Sequence, residues 1–177
     1  MSIDVLVLSY NAAPYIQQAL ESIYVQRVNS SSEVRIVIAD DCSNDGTMEI
    51  IESILPNSPF PYFITRYENN VGITRNYQRA FSECSADYVA VLEGDDYWCS
   101  PYHLQSHLNF LESHNECVMS VNRIIRYEEK SCNYNSVNPK EIINPGAYSI
   151  ITQNDLLQWN HIVNFSSCIF RNSVLQK

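Results

Sequence analysis

The order of apolar and polar stretches predicts alternating strands and helices in the first half of the chain. Apolar runs rich in Val, Ile and aromatic residues predict strands at 3–8, 34–39, 62–67 and 88–92. Apolar positions at helical spacing predict helices through 16–24, 50–54 and 73–84. This alternation predicts an α/β fold of the Rossmann-like kind, in which an open, mainly parallel sheet is flanked by helices.

The second half of the chain follows a less regular pattern. Leu104, Leu108 and Leu111 form the apolar stripe of a predicted helix over 101–113, and a strand is predicted at 117–125. The polar stretch 126–145 predicts a loop or an irregular hairpin. Thereafter the pattern predicts a short helix through Leu156, Leu157 and Trp159, capped by Thr152 and Asp155, then a strand at 166–170 and a helical start at Asn172.

Length and charge narrow the class of protein. The chain has 177 residues, of which 45% are hydrophobic, so a single domain over 1–177 with a sizeable core is expected. The net charge is -9 and no run of Lys or Arg occurs, which argues against nucleic acid as a direct partner. No apolar run approaches the ~20 residues of a membrane span and no leader pattern is seen. We expect a cytoplasmic protein with reduced cysteines, and peripheral contact with the inner face of a membrane is compatible with this expectation.

Four polar segments follow the predicted strands. In open α/β sheets, ligands bind outside the carboxyl ends of the strands. This rule places on one edge of the sheet the segments 9–11, 40–41, 69–75 and 95–96. The sequence therefore predicts one crevice lined by all four.

Asp95 and Asp96 are the strongest candidate for a metal site. They follow the strand at 88–92 directly, and two adjacent ionised carboxylates repel each other unless a cation lies between them. Oxygen ligands favour Mg²⁺ or Mn²⁺ over zinc. The alternative is an ordinary polar turn, since Gly94-Asp95 is a common turn pair.

Other motifs are weaker. Neither the dinucleotide-binding nor the P-loop glycine pattern occurs, and the chain has only four glycines. His103 and His107 have the spacing of a helical metal site, but the glutamate of the zinc-protease motif is absent and a solvated helix face is the expected role.

Arg75 and a group of aromatic residues have two interpretations each. At the start of its predicted helix, Arg75 is suited to a phosphate, although taken alone the residue is slightly better explained as a surface arginine. The aromatic residues near the acids suit either the wall of a sugar pocket or a roof over the sheet: Tyr97, Trp98 and Tyr102.

Four motifs in register resemble family-two glycosyltransferases of the GT-A type. They are LSYN at 8–11, ADDCSNDGT at 39–47, NVGITRN at 70–76 and LEGDD at 92–96. The resemblance is close over 3–122 and weaker as far as Arg171, and each motif is modest alone. It implies the GT-A fold, with a donor-binding part at 1–122 and the start of an acceptor-side part at 123–177.

The resemblance also implies a role for individual residues in binding a nucleoside-diphosphate sugar. Ser9 and Tyr10 would line the nucleotide pocket, Asp41 would hydrogen-bond the base with Asp40 close by, and Arg75 would contact the nucleotide.

In the acidic motif, Asp96 is implied as the direct ligand of Mn²⁺ or Mg²⁺, and Asp95 as a ligand of the ribose or part of the metal shell. Many members have Asp where this chain has Glu93, so whether Glu93 touches the ion stays open.

The implied activity is metal-dependent, inverting transfer of a sugar to a glycan or lipid-linked acceptor in the synthesis of a surface polysaccharide. Such a reaction requires a carboxylate base on the acceptor side. The resemblance places that base beyond Lys177, and Asp155 is expected to be a helix cap. A truncated or non-catalytic sugar-nucleotide-binding module is the competing hypothesis. A nucleotidyltransferase is less favoured because its glycine-rich, basic loop is missing.

Overall fold

The computed structural model describes residues 1–137, 148–158, 160–162 and 164–175. The strands are β1 (Ser2–Ser9), β2 (Glu33–Asp40), β3 (Tyr62–Arg66), β4 (Tyr88–Glu93), β5 (Met119–Val121), β6 (Ile124–Glu128), β7 (Asn133–Val137) and β8 (Cys168–Arg171). The helices are α1 (Ile16–Tyr24), α2 (Thr47–Ile54), α3 (Ile73–Ser82), α4 (His103–Ser113) and α5 (Gln153–Gln158).

Six of the strands form one mixed sheet in the order β3-β2-β1-β4-β8-β5. The first four are parallel, while β8 runs antiparallel to both of its neighbours. The predicted α/β fold and its mainly parallel sheet are therefore confirmed. The register places Ser9 opposite Asp40 and Leu8 opposite Glu93, so β1, β2 and β4 end at the same edge.

The core has two halves, one on each face of the sheet. Along β1, Val5 and Val7 pack with the buried residues of α1, α2 and α4, whereas Leu6 and Leu8 pack with α3 and β8. This alternation follows from the pleat, because successive side chains of a strand point to opposite faces. Covering both faces excludes water from the central strands and fixes the edge where they end.

The predicted strand at 117–125 is divided in the structure. β5 pairs with β8 in the main sheet, and β6 pairs with β7 in a separate antiparallel hairpin. The break falls at Asn122, whose backbone N–H donates to the carbonyl of Ser167 at 3.2 Å and so directs the chain away from the sheet. Of the loop or irregular hairpin expected over 126–145, the hairpin is confirmed for 126–137, and residues 138–147 lie outside the described part of the chain.

The last predicted elements are largely confirmed. The backbone N–H of Asp155 donates to Thr152 Oγ1 at 3.3 Å, and the Asp155 carboxylate accepts from the Thr152 N–H at 2.7 Å, as a capping pair does. Trp159 lies outside the described residues. The final strand starts at Cys168 because Phe165–Ser167 forms a 3₁₀ turn, and a second such turn begins at Asn172. Among the described helices, none has the length and apolar character needed to cross a membrane.

Candidate metal and ligand site

The ends of β1 and β2 are joined by a buried network around Asp40. Ser9 Oγ donates to its carboxylate at 2.8 Å, and the backbone N–H of Ser43 donates at 2.8 Å. Asp40 is fully buried and Ser9 nearly so. Because each carboxylate oxygen has an internal donor, Asp40 stabilises the loop rather than presenting a free charge. Asp40 thus lies buried where β1 and β2 end.

The loop after β1 is held against the loop after β2. Asn11 has a left-handed backbone (φ 51°), and its N–H donates to Ser43 Oγ at 2.8 Å. The N–H of Ala12 donates to Thr47 Oγ1, also at 2.8 Å. Just before these anchored positions the Tyr10 side chain is 51% exposed, which leaves it available to line a pocket.

Asp41 connects β2 to the start of α3. Its carboxylate accepts from the backbone N–H groups of Val71 at 3.0 Å and Gly72 at 3.1 Å, and it forms an ion pair with Arg79. The Arg79 guanidinium also lies over the Tyr67 ring, 3.2 Å from the ring centroid. The buried Asp41 carboxylate therefore positions the loop that precedes α3.

Of the two arginines of α3, the sequence indicated Arg75 as a candidate nucleotide contact but gave no role to Arg79. Arg75 is exposed in the first turn of α3 and makes no hydrogen bond or ion pair with any residue that the structure describes. The spacing of four residues, which puts two side chains on one helix face, was the available signal for Arg79. The two arginines have different environments, since Arg79 is packed against Asp41 whereas Arg75 is exposed and has no partner among the described residues.

Gly94 permits the sharp turn between β4 and the acids. Its N–H donates to the carbonyl of Leu8 at 2.8 Å. A Cβ at this position would lie 3.1 Å from that carbonyl oxygen and 3.3 Å from side-chain atoms of Ala12 and Ile16. Only glycine fits such a close approach without displacing a neighbour, so the position of the acidic loop depends on this residue.

Glu93, Asp95 and Asp96 form a cluster of carboxylates just beyond Gly94. Each offers an oxygen, and these oxygens lie within 4.8 Å of one another. Glu93 and Asp96 are half-buried, while Asp95 is exposed. Three carboxylate oxygens at this spacing fit a hard divalent cation such as Mg²⁺ or Mn²⁺.

Glu93 is held toward this cluster by α3. Tyr77 OH donates to its Oε1 at 2.6 Å. Burial raises the pKa of the Glu93 carboxyl, the Tyr77 hydrogen bond opposes that rise, and the charges of Asp96 and Asp95 add to it. The Glu93 side chain is therefore a member of the acidic cluster. The sequence alone left open whether Glu93 touches the ion.

Asp96 receives two donors from a segment 70 residues further along the chain. Ser166 Oγ donates to Asp96 Oδ2 at 2.6 Å, and Asn164 Nδ2 donates to the same oxygen at 2.8 Å. Ser166 Oγ in turn accepts from the backbone N–H of Glu93 at 2.9 Å. The sequence predicts a strand at 166–170 and gives no role to these side chains, because nothing in the local pattern indicates the contact.

The aromatic residues near the acids are divided between the core and the surface. Trp98 is buried, stacks on His103 with ring centroids 4.3 Å apart, and donates from Nε1 to the carbonyl of Ser166 at 2.8 Å. Tyr102 is 51% exposed. Trp98 thus roofs the sheet and supports the acidic loop, whereas Tyr102 lies at the surface.

The expectation that His103 and His107 lie on a solvated helix face is wrong. Both are buried on the core side of α4, where their Nδ1 atoms hydrogen-bond Asn122 at 3.1 Å and Ser120 at 2.8 Å. Burial lowers the pKa of His103 to about 3 and that of His107 to about 4, so both imidazoles are neutral near pH 7. A neutral imidazole has enough apolar surface for a core position when one ring nitrogen is bonded.

Curated relatives share part of this chain. An uncharacterized protein of Mycobacterium tuberculosis is 31% identical over 127 residues, which cover 71% of this chain and 36% of that protein. The abequosyltransferase RfbV of Salmonella typhimurium is 32% identical over 96 residues, or 54% of this chain and 28% of that protein. The amylovoran biosynthesis glycosyltransferase AmsE of Erwinia amylovora is 27% identical over 128 residues, or 71% and 46%. The chain spans less than half the length of each of these relatives.

Solved structures show the same fold. S. aureus TarS 1-349 in complex with UDP-GlcNAc has a TM-score of 0.65 at 22% identity, covering 99% of this chain and 47% of that one. The mannosyltransferase PcManGT from Pyrobaculum calidifontis, in complex with GDP-Man and Mn²⁺, has a TM-score of 0.61 at 22% identity, covering 72% and 36%. The fold is that of the GT-A glycosyltransferases. The family model for glycosyl transferase family 2 matches residues 4–177, and the chain belongs to that family.

Proposed function

We propose that this chain binds a nucleoside-diphosphate sugar together with Mn²⁺ or Mg²⁺ and transfers the sugar, with inversion, to a glycan or lipid-linked acceptor. The observation that supports this most directly is the carboxylate cluster of Glu93, Asp95 and Asp96 at the carboxyl edge of the sheet. In this proposal Asp96 binds the cation directly, and Asp95 binds the ribose or completes the metal shell.

The nucleotide would lie in the crevice formed by the loops after β1, β2 and β3. Tyr10 is exposed there, and Arg75 is unpaired among the described residues, so both are available to a ligand. Ser9 and Asp40 form the floor of the crevice, and Asp41 fixes the loop at 69–72. Structures of the same fold are described with UDP, UDP-GlcNAc and GDP-Man, which is consistent with a diphosphate donor of this kind here.

The charges of the crevice suit departure of a diphosphate. A divalent cation bound at this acidic cluster through Asp96 would neutralise negative charge that develops on the diphosphate as the glycosidic bond breaks. Arg75 would add a second positive charge near the nucleotide. The three carboxylates themselves exclude an unaccompanied diphosphate by repulsion, so donor binding should depend on the cation.

The polysaccharide acceptor is proposed from the relatives and not from residues of the site. Its support is that relatives include glycosyltransferases named for amylovoran biosynthesis and, putatively, for teichuronic acid biosynthesis. Asp155 is engaged in capping α5 and is not proposed as the base.

The test is thermal stabilisation by nucleotides, since a ligand that binds only the native state raises its stability by mass action. UDP, GDP and TDP are each added with and without Mn²⁺ to the wild type, to Asp96→Ala and to Asp87→Ala. Asp87 is a matched control because its carboxylate lies at the opposite end of β4 and bonds Ser2. We expect at least one nucleotide to stabilise the wild type and Asp87→Ala in a Mn²⁺-dependent way, and Asp96→Ala to lose the effect.

Two results would contradict this proposal. One is that no nucleotide stabilises the wild type, and the other is that the Mn²⁺-dependent effect survives in Asp96→Ala. Release of nucleoside diphosphate from a labelled donor then separates a transferase from the competing binding module, which would bind without turnover.

A further inference from the structure

One oxygen of Asp96 is fully engaged by the protein itself. A carboxylate oxygen has two in-plane lone pairs, and both on Oδ2 are used, by Ser166 Oγ at 2.6 Å and by Asn164 Nδ2 at 2.8 Å. The described residues offer no such donor to Oδ1. Among the described residues, Asp96 therefore keeps only Oδ1 without a hydrogen-bond donor.

The two donors are themselves fixed in place. Ser166 is buried, its Oγ accepts from the Glu93 N–H, and its carbonyl accepts from Trp98 Nε1. Asn164 Oδ1 accepts from the backbone N–H of Ser166, which orients the amide so that Nδ2 faces Asp96. Because the side chains of both residues have defined partners, Asp96 cannot rotate its carboxylate without breaking both of the hydrogen bonds that it accepts from them.

Glu93 is constrained in a similar way. Its Oε1 accepts from Tyr77 OH at 2.6 Å. Among the described residues, each of the two half-buried carboxylates thus has side-chain donors to one oxygen only. The exposed Asp95 is the one member without an internal hydrogen bond from a described side chain.

We infer that Ser166 and Asn164 restrict Asp96 to one-oxygen coordination and thereby select Mn²⁺ or Mg²⁺ against Ca²⁺. Ca²⁺ takes six to eight oxygens and commonly binds a carboxylate through both of them, whereas Mg²⁺ requires a compact octahedron of single oxygens. The two residues are positioning residues that act through Asp96. This inference rests on the proposed function, because it concerns the cation of the same site.

The experiment compares affinities for two metals. Binding of Mn²⁺, alone and with added UDP, is measured from the electron paramagnetic resonance signal of the free ion, and Ca²⁺ is measured by competition. Removing a residue that orients a metal ligand typically changes affinity by about 10- to 100-fold. We expect Ser166→Ala to lower the preference for Mn²⁺ over Ca²⁺ about tenfold, and Ser166→Ala/Asn164→Ala to lower it further.

Two variants control for general damage to the fold. Ser166→Thr keeps the hydroxyl, and its metal preference should stay near that of the wild type. Ser120→Ala also removes a serine hydroxyl bonded within the sheet region, at His107 Nδ1, but it touches none of the three acids. Its preference should be unchanged. If Ser166→Ala fails to fold, the half-buried Asn164→Ala decides the matter through a shift of about tenfold, at the lower end of such effects.

The outcomes separate the two proposals. Binding of Mn²⁺ by the wild type, its loss in Asp96→Ala and an unchanged Mn²⁺/Ca²⁺ ratio in the Ser166 and Asn164 variants would overturn this inference alone. A wild type that binds no Mn²⁺, with or without UDP, would overturn the proposed metal site and this inference with it.

Discussion

At the scale of single residues, Gly94 determines where the acids lie. Its backbone is bonded to Leu8, and the space for a side chain is closed by a carbonyl oxygen 3.1 Å away. We expect Gly94→Ala to lower the free energy of unfolding by about 1–3 kcal/mol, because a backbone atom cannot yield as a flexible side chain does. The displaced loop should also lose Mn²⁺-dependent stabilisation.

Urea denaturation measures the first effect and thermal shift the second. Ser53→Ala is a suitable control, since Ser53 is exposed on α2 and a surface change of this kind stays within about 0.5 kcal/mol. An unfolding free energy for Gly94→Ala equal to that of the wild type would show that the loop adjusts freely.

The acids themselves were predictable from the sequence, whereas their partners were not. Asp95 and Asp96 follow a strand of an open sheet, and that placement alone directs them to the ligand edge. Ser166 and Asn164 are 70 and 68 residues away from Asp96, and no periodic pattern encodes contacts over such separations. The buried His103 was misjudged for a different reason, because its stacking on Trp98 in the loop before α4 arises from tertiary packing and has no periodic signal.

At the scale of secondary-structure elements, the local sequence patterns predict where strands and helices lie, but they do not predict which strands pair. The spans of β1, β2 and α1 follow directly from their apolar periodicity. The insertion of β8 between β4 and β5 depends instead on which strands meet after the chain has folded. The Asn164–Ser166 segment enters the site because β8 pairs beside β4.

Helix α3 offers a matched comparison of two arginines. Arg79 is paired with the buried Asp41, and Arg79→Ala should lower the free energy of unfolding by about 1.5–3 kcal/mol, as loss of a hydrogen bond to a charged group does. Arg75 is exposed and unpaired among the described residues, so Arg75→Ala should change the unfolding free energy by less than about 0.5 kcal/mol.

The effect on nucleotide binding should be opposite to the effect on stability, because the variant with the intact fold is expected to bind nucleotide less well. Arg75→Ala is expected to reduce the stabilisation by nucleotide although its fold is intact. Urea denaturation and nucleotide titration of both variants provide the check. If Arg79→Ala and Arg75→Ala lower the free energy of unfolding equally, the ion pair between Arg79 and the buried Asp41 does not stabilise the fold.

At the scale of the whole molecule, the histidines of α4 make folding sensitive to acid. The pKa values are lowered from 6.5 to about 3 for His103 and to about 4 for His107, chiefly by burial. A depressed histidine pKa means that the unfolded chain binds more protons, so stability is complete above pH 6.5 and is lost as the pH falls toward 4. Each extra proton bound by the unfolded chain lowers the free energy of unfolding by about 1.4 kcal/mol per pH unit of acidification, and two protons lower it by about 2.7 kcal/mol per pH unit.

The raised pKa of Glu93 acts in the opposite direction near the lower end of this range, because its protonated form is favoured in the folded state. Urea denaturation between pH 7 and pH 4.5 measures the net slope. His107→Gln should reduce the slope by about half, whereas His114→Gln, at the end of the same helix, serves as the matched control. A slope unchanged by His107→Gln would show that the imidazole gains its proton without unfolding, and that water reaches this side of the core.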